Sequence, residues 1–166
     1  ELGLWEKILG VYEGLSRATK IPLVGPLLFG LLDYFQTIRP AYPRVDLSRP
    51  SIQTRFADTM VRQGLCSAML KRIATKPLPL VTSFYQNAIA ADRAAHGRIY
   101  CIICDADINR VWVASDPRKS RIMYLVPCGS VLRRLKQYGV PDERIFMTGF
   151  PLPKELLGDE NLDVLK

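Results

Sequence analysis

The rhythm of apolar and polar positions changes at about residue 77. Before it the repeats are helical. Residues 4–18 and 26–38 read as short helices, and Ser48 or Ser51 is placed to cap a longer one running to about Ile73, with Ile52, Phe56 and Met60 at four-residue spacing. After it come short apolar runs rich in β-branched residues. Pro77 and Pro79 introduce LVTSF at 80–84, and RIYCIICD at 98–105, IMYLVP at 122–127 and RIFMTG at 144–149 follow as further strands. Between them the pattern predicts a helix from Asn87 to His96. A second runs from Ser130 to Tyr138, with Val131, Leu132 and Leu135 inward and Gly139 and Pro141 as its stop.

Strand, helix, strand, strand, helix, strand is the signature of an α/β domain: a Rossmann-like parallel sheet with flanking helices, preceded here by a helical segment. The near-continuous apolarity of RIYCIICD predicts a strand buried on both faces. Ligands of such sheets bind beyond the carboxyl ends of the strands, which marks the loops after Val81, Cys104, Val126 and Met147.

Composition narrows the classes. The chain has 166 residues, 48% of them hydrophobic and 23% charged, enough for one globular core and unlike a disordered or low-complexity sequence. It begins at Glu1 with no signal-peptide pattern, so a piece of a longer chain is expected. The net charge is +7, and the basic excess sits in the first half: residues 1–76 carry eleven basic against six acidic side chains. Within that half, residues 21–32, IPLVGPLLFGLL, fall short of the roughly 20 residues a spanning helix needs and are interrupted by Pro22, Gly25, Pro26 and Gly30. Aromatic and basic residues surround the run. That make-up suits a peripheral surface on anionic lipid headgroups, with Trp5, Leu27, Leu28, Phe29, Arg39 and Arg44 facing the membrane. Nucleic acid is not expected as a partner, because no nucleic-acid-binding motif is present and the basic residues are not ranked along one polar helix face.

The densest chemistry lies in CIICDADINRVWVASDPRKSR, residues 101–121. Cys101 and Cys104 are three apart on a strand and point to opposite sides, and His96 is the only histidine, so no metal site is expected. The four cysteines read as buried thiols of a reduced, cytoplasmic protein. Asp105 and Asp107 share a face, as a pair holding a divalent cation would. An aspartate at a strand end equally caps a turn through its side-chain oxygen.

From Pro79 to Pro153 the sequence resembles the second half of the N-terminal domain of two-domain (GT-B) glycosyltransferases. The type is that of monogalactosyldiacylglycerol synthase, processive diacylglycerol glucosyltransferase and the N-acetylglucosaminyltransferase that makes lipid II. The likeness rests on Cys104-Asp105 at a strand end, Asn109, Trp112-Val113, a Val-Pro strand end, Tyr138-Gly139-Val140-Pro141 as a helix stop, and Thr148-Gly149-Phe150-Pro151. The aromatic and basic make-up gives residues 1–76 as a helical, membrane-facing segment, and the resemblance implies residues 77–153 as a Rossmann-like half-domain and 154–166 as the start of an interdomain linker. It further implies a hexosyltransferase on the inner face of the cell membrane, moving sugar from a nucleotide donor to a lipid-linked acceptor, with no cofactor and no metal. Ser83, Phe84, Asp105, Asn109 and Trp112 would meet the acceptor, with Asp105 the candidate base. The nucleotide sugar would be bound mainly by a C-terminal domain outside this sequence, so the piece alone is expected to be inactive. Asn109 stands where the family often has histidine, so a proton shuttle there does not carry over. An epimerase acting on nucleotide sugars with the same architecture, and a non-catalytic binding or scaffold module, are the alternatives.

Overall fold

The computed structural model describes residues 46–76 and 78–153, with isolated positions between 10 and 38. Gly10, Glu13, Gly14 and Arg17, and then Gly25, Pro26, Gly30 and Asp33, are helical, within or beside the two expected early helices. Trp5, Leu27, Leu28, Phe29, Arg39 and Arg44, and the expected linker at 154–166, lie outside the described residues. Among those described, no helix is long and apolar enough to cross a membrane.

Helix α1, Ile52–Arg62, starts at Ser51, whose hydroxyl oxygen accepts from the Thr54 amide at 3.1 Å and satisfies one of the open N–H groups of the first turn. The single helix expected to Ile73 is two. Gly64 takes φ +105°, its N–H donates to Val61 O at 3.1 Å, and the Leu65 N–H donates to Met60 O at 3.0 Å, the paired bonds that close a helix end. Leu65 is thereby buried among Met60, Leu70 and Ala90. That burial is absent in a continuous helix, and α2, Ser67–Ala74, resumes after it.

The rest is the expected alternation. Strand β1, Leu80–Thr82, leads to helix α3, Tyr85–Arg93, and strand β2, Ile99–Ile102; strand β3, Ile122–Val126, leads to helix α4, Gly129–Gln137, and strand β4, Ile145–Met147. All neighbouring strands pair in parallel in the order β1-β2-β3-β4, a Rossmann-like α/β sheet. The order does not reverse among these strands, so the crevice that a reversal opens is not framed by them.

Successive right-handed crossovers in one direction place their helices on one face. Ala88, Ile89 and Ala91 of α3 and Val131 and Leu135 of α4 share one buried cluster with Ile99, Cys101, Ile122, Tyr124 and Val126. The other face carries Val81, Tyr100 and Met123 in one row and Ile102, Leu125 and Phe146 in the next. None of these six is fully buried, and Val81 and Phe146 are 59% and 45% exposed. The expectation that RIYCIICD is buried on both faces is therefore met on one face only. Its alternate residues are apolar on a side that the described helices do not cover.

Helix α3 begins two residues before its expected start and stops three before its expected end. The stop is again a paired closure, with Ala95 N donating to Asp92 O at 3.1 Å and His96 N to Ala91 O at 3.0 Å. Here the left-handed position is held by an alanine, Ala95, at φ +56°. Glycine suffers no Cβ clash there. Ala95→Gly is therefore expected to raise stability by roughly 0.5–1 kcal/mol, seen as a higher urea midpoint at unchanged slope.

Candidate functional site

Beyond the carboxyl end of β2 the chain makes a tight loop, residues 103–109, and the two aspartates separate in role. Asp107 Oδ1 accepts from its neighbour, the Ile108 amide, at 2.8 Å, and both its oxygens take the guanidinium of Arg134 on α4, Nε at 3.0 Å and an Nη at 2.8 Å. The forked contact fastens the loop to the helix. Cys128, at the start of α4, adds a long contact from its thiol to Ala106 O at 3.5 Å. The Arg134 bonds hold the Asp107 carboxyl below its ordinary range against the partial burial that would raise it, and the Ile108 amide adds to the lowering.

Because that carboxyl is depressed in the folded state, its stabilisation is fully present above the unfolded value near 3.9 and is lost as pH falls below it. The pair is about a third exposed on the aspartate side. Asp107→Asn is accordingly expected to cost only about 0.5–1 kcal/mol at pH 7. Urea midpoints of wild type and variant should converge as pH falls through the depressed folded-state value.

Asp105 stands three residues past the strand, exposed, with no hydrogen bond or ion pair among the described residues. The turn cap that an Asp-x-Asp offers is taken by Asp107, which leaves the Asp105 carboxylate open to solvent. Ser83 and Phe84 follow β1 directly and are exposed, at the same end of the sheet. Phe84 contacts the ring of Tyr85, with centroids 5.1 Å apart, and Tyr85 contacts Trp112 at 5.4 Å. Trp112 itself is half-buried against the core, so its ring forms the wall behind that aromatic row.

Asn109 lies at the start of the 3-10 turn Arg110–Trp112, its Oδ1 accepting from Val111 N at 3.1 Å. It also borders two clefts. One, of about 220 Å³, runs beside Asp46, Arg49, Ser51 and Tyr138. The other, of about 430 Å³, lies between α1 and α3 and is mostly apolar. The structure thus groups Phe84 and Trp112 through Tyr85, and joins Asn109 to them across the second cleft, which Tyr85 also lines.

The cysteines divide. Cys66 and Cys101 are buried and Cys128 is half-buried, but Cys104, expected among the buried thiols, is exposed because the strand has ended at Ile102. Burial, with a smaller contribution from Cys104, pushes the Cys101 thiol up to about 12. No cluster of three or more potential metal-ligating side chains occurs among the described residues.

Sequence reasoning passed over Arg110, which is buried. Its guanidinium donates to Val113 O at 2.7 Å, Ser48 O at 3.0 Å and Ala114 O at 3.1 Å, and lies 5.9 Å from the centre of the Tyr138 ring. The signal was its place inside the apolar run INRVWVA, where a charge needs fixed partners. The chain matches no protein-family model, no curated protein and no solved structure in the comparisons made with each.

Proposed function

We propose that this chain supplies the acceptor side of a membrane-peripheral, two-domain glycosyltransferase that moves a sugar from a nucleotide donor to a lipid-linked hydroxyl at the cytoplasmic face of a membrane. The observation that carries the reading is Asp105: an exposed carboxylate, engaged in neither cap nor ion pair among the described residues, beyond the carboxyl end of a parallel strand. A general base at that point takes the proton of the acceptor hydroxyl as its oxygen attacks the anomeric carbon and the nucleoside diphosphate leaves. The Asp107–Arg134 pair fastens the loop that presents it. Ser83 and Phe84 open at the same end of the sheet, and the row Phe84, Tyr85, Trp112 offers the apolar wall a lipid acceptor needs. The resemblance of residues 79–153 to GT-B enzymes supports the same reaction class.

The test is sugar transfer by the longest protein its gene encodes, incubated with radiolabelled nucleotide sugars and diacylglycerol or polyprenyl-phosphate acceptors in mixed vesicles. A labelled glycolipid is expected, with vesicle binding that weakens as salt rises. Absence of transfer from every donor to every acceptor would hand the fold to the scaffold reading.

A further inference from the structure

One face of the sheet is apolar and, among the described residues, uncovered. Val81, Tyr100 and Met123 form one row across it, and Ile102, Leu125 and Phe146 the next. The same alternation places Arg98, Arg121 and Arg144 one residue before β2, β3 and β4, at the amino end of the face. The Arg98 guanidinium has no partner among the described residues, Arg121 comes only within 4.0 Å of Asp92, and Arg144 donates to Pro117 O at 3.2 Å. No acidic residue occurs in this alternation within the strands. The face is thus an apolar plate with a positive row at one end, and a parallel sheet is stable when both sides are covered.

Charge and reach select the cover. The first 45 residues carry five basic side chains against four acidic, whereas residues 154–166, KELLGDENLDVLK, carry two against four. That segment also follows β4. Gly149 turns the chain at φ +81°, and residues 149–153 are exposed throughout, so the chain leaves the carboxyl end of the sheet without settling on α4. A helix of that length is about 20 Å long and about 10 Å wide, enough to run back over two or three strands about 4.8 Å apart. At about 100° per residue, Leu157, Leu162, Val164 and Leu165 fall within one arc of about 160°, with the acids on its flanks and back. Run in that direction, the segment brings the negative end of its dipole, Glu160 and Asp163 toward the arginine row. A second copy would offer that row only more arginine, and a bilayer cannot satisfy the open edges of β1 and β4.

We propose that residues 154–166 fold back as an amphipathic helix across the open face of the sheet, leucines down and acids toward Arg98, Arg121 and Arg144. The proposal stands apart from the glycosyltransferase reading, since it needs neither donor nor acceptor.

Hydrogen exchange of the 166-residue chain reads it directly. Amides of residues 157–165 are expected to exchange at least about tenfold more slowly than in the free peptide KELLGDENLDVLK, which is too short to hold a helix alone. Phe146→Asp, at a position 45% exposed, should abolish that protection while β2 and β3 stay slow, and Leu162→Asp should do the same. Phe56→Asp, on α1 and 67% exposed, is the control and should leave it intact. Arg98→Glu should lower the protection about threefold, as should salt at about 0.5 M. Exchange as fast as in the free peptide overturns the proposal. So does protection that Phe146→Asp or Arg98→Glu leaves untouched, which would seat the segment elsewhere. Protection that appears only as protein concentration rises, or only with anionic vesicles, also overturns it and gives the face to a second copy or to a bilayer.

Discussion

Arg110→Met is expected to lower the free energy of unfolding by about 3–5 kcal/mol, and Arg110→Lys to recover only part of that loss. The guanidinium is buried and, among the described residues, no carboxylate pairs with it. Among the described residues its charge is held by carbonyl dipoles and the face of the Tyr138 ring: besides the shortest bonds, Nε reaches Ser48 O at 3.3 Å and an Nη reaches Ser115 O at 3.4 Å. These carbonyls come from two separate stretches, the approach to α1 and the descent from the 3-10 turn to β3. One side chain therefore ties the helical layer to the sheet connection.

Methionine fits the volume but leaves buried carbonyls at Val113 and Ala114 without a donor, which costs more than the absence of a net attractive bond. Lysine keeps a charge but offers one compact head in place of a planar fork and cannot span the two stretches. Burial already pulls the arginine pKa down, with partial offset from the Tyr124 and Tyr138 hydroxyls. Urea unfolding at pH 7 measures the effect. A loss under 1 kcal/mol for the methionine variant would mean that water replaces the guanidinium and that the N-terminal layer is not fastened there.

The four strands were legible because each is a short apolar run bounded by proline, glycine or polar turns, a pattern that survives whatever packs around it. The helix α4 was legible for the same kind of reason, since Gly139 at φ +88° is the residue type that closes its end without strain. The break at 63–66 was not legible. Gly64 sits in an otherwise helical pattern, and only the burial of Leu65 against α3 makes stopping better than continuing. Helix α3 ends early at an alanine in the left-handed region, a stop that no propensity favours.

Within the candidate site the limits are of the same origin. Asp105 and Asp107 are indistinguishable in sequence. Arg134, 27 residues further along, separates them by claiming one carboxylate for the loop. The cleft between α1 and α3 is invisible to motif reading because its walls come from α1, α3 and the 3-10 turn, each contributing ordinary apolar residues. What sequence alone conveyed about the strands was also coarser than the outcome. Apolarity on both faces of β2 and β3 records that both faces are fit for burial, not which layer covers each.

That separation of the aspartates makes the sharpest test of the proposed reaction. Asp105→Asn in the longest form of the protein is expected to lower turnover by about 10²-fold or more with little change in acceptor KM, while the unfolding midpoint stays within about 0.5 kcal/mol of wild type. The stability half follows from the structure: the side chain is exposed and has no partner to lose among the described residues. The kinetic half follows from chemistry, since the amide matches the carboxylate in size and hydrogen-bonding reach but cannot accept the acceptor's proton. Asp107→Asn is the control, because it removes the same charge two residues away while its expected effect falls on stability and loop order. If both variants lose turnover equally, the loop's geometry matters rather than a base at Asp105. If Asp105→Asn retains full turnover, the proton goes to a group outside the described residues, and the open carboxylate of this loop is only a solvated turn.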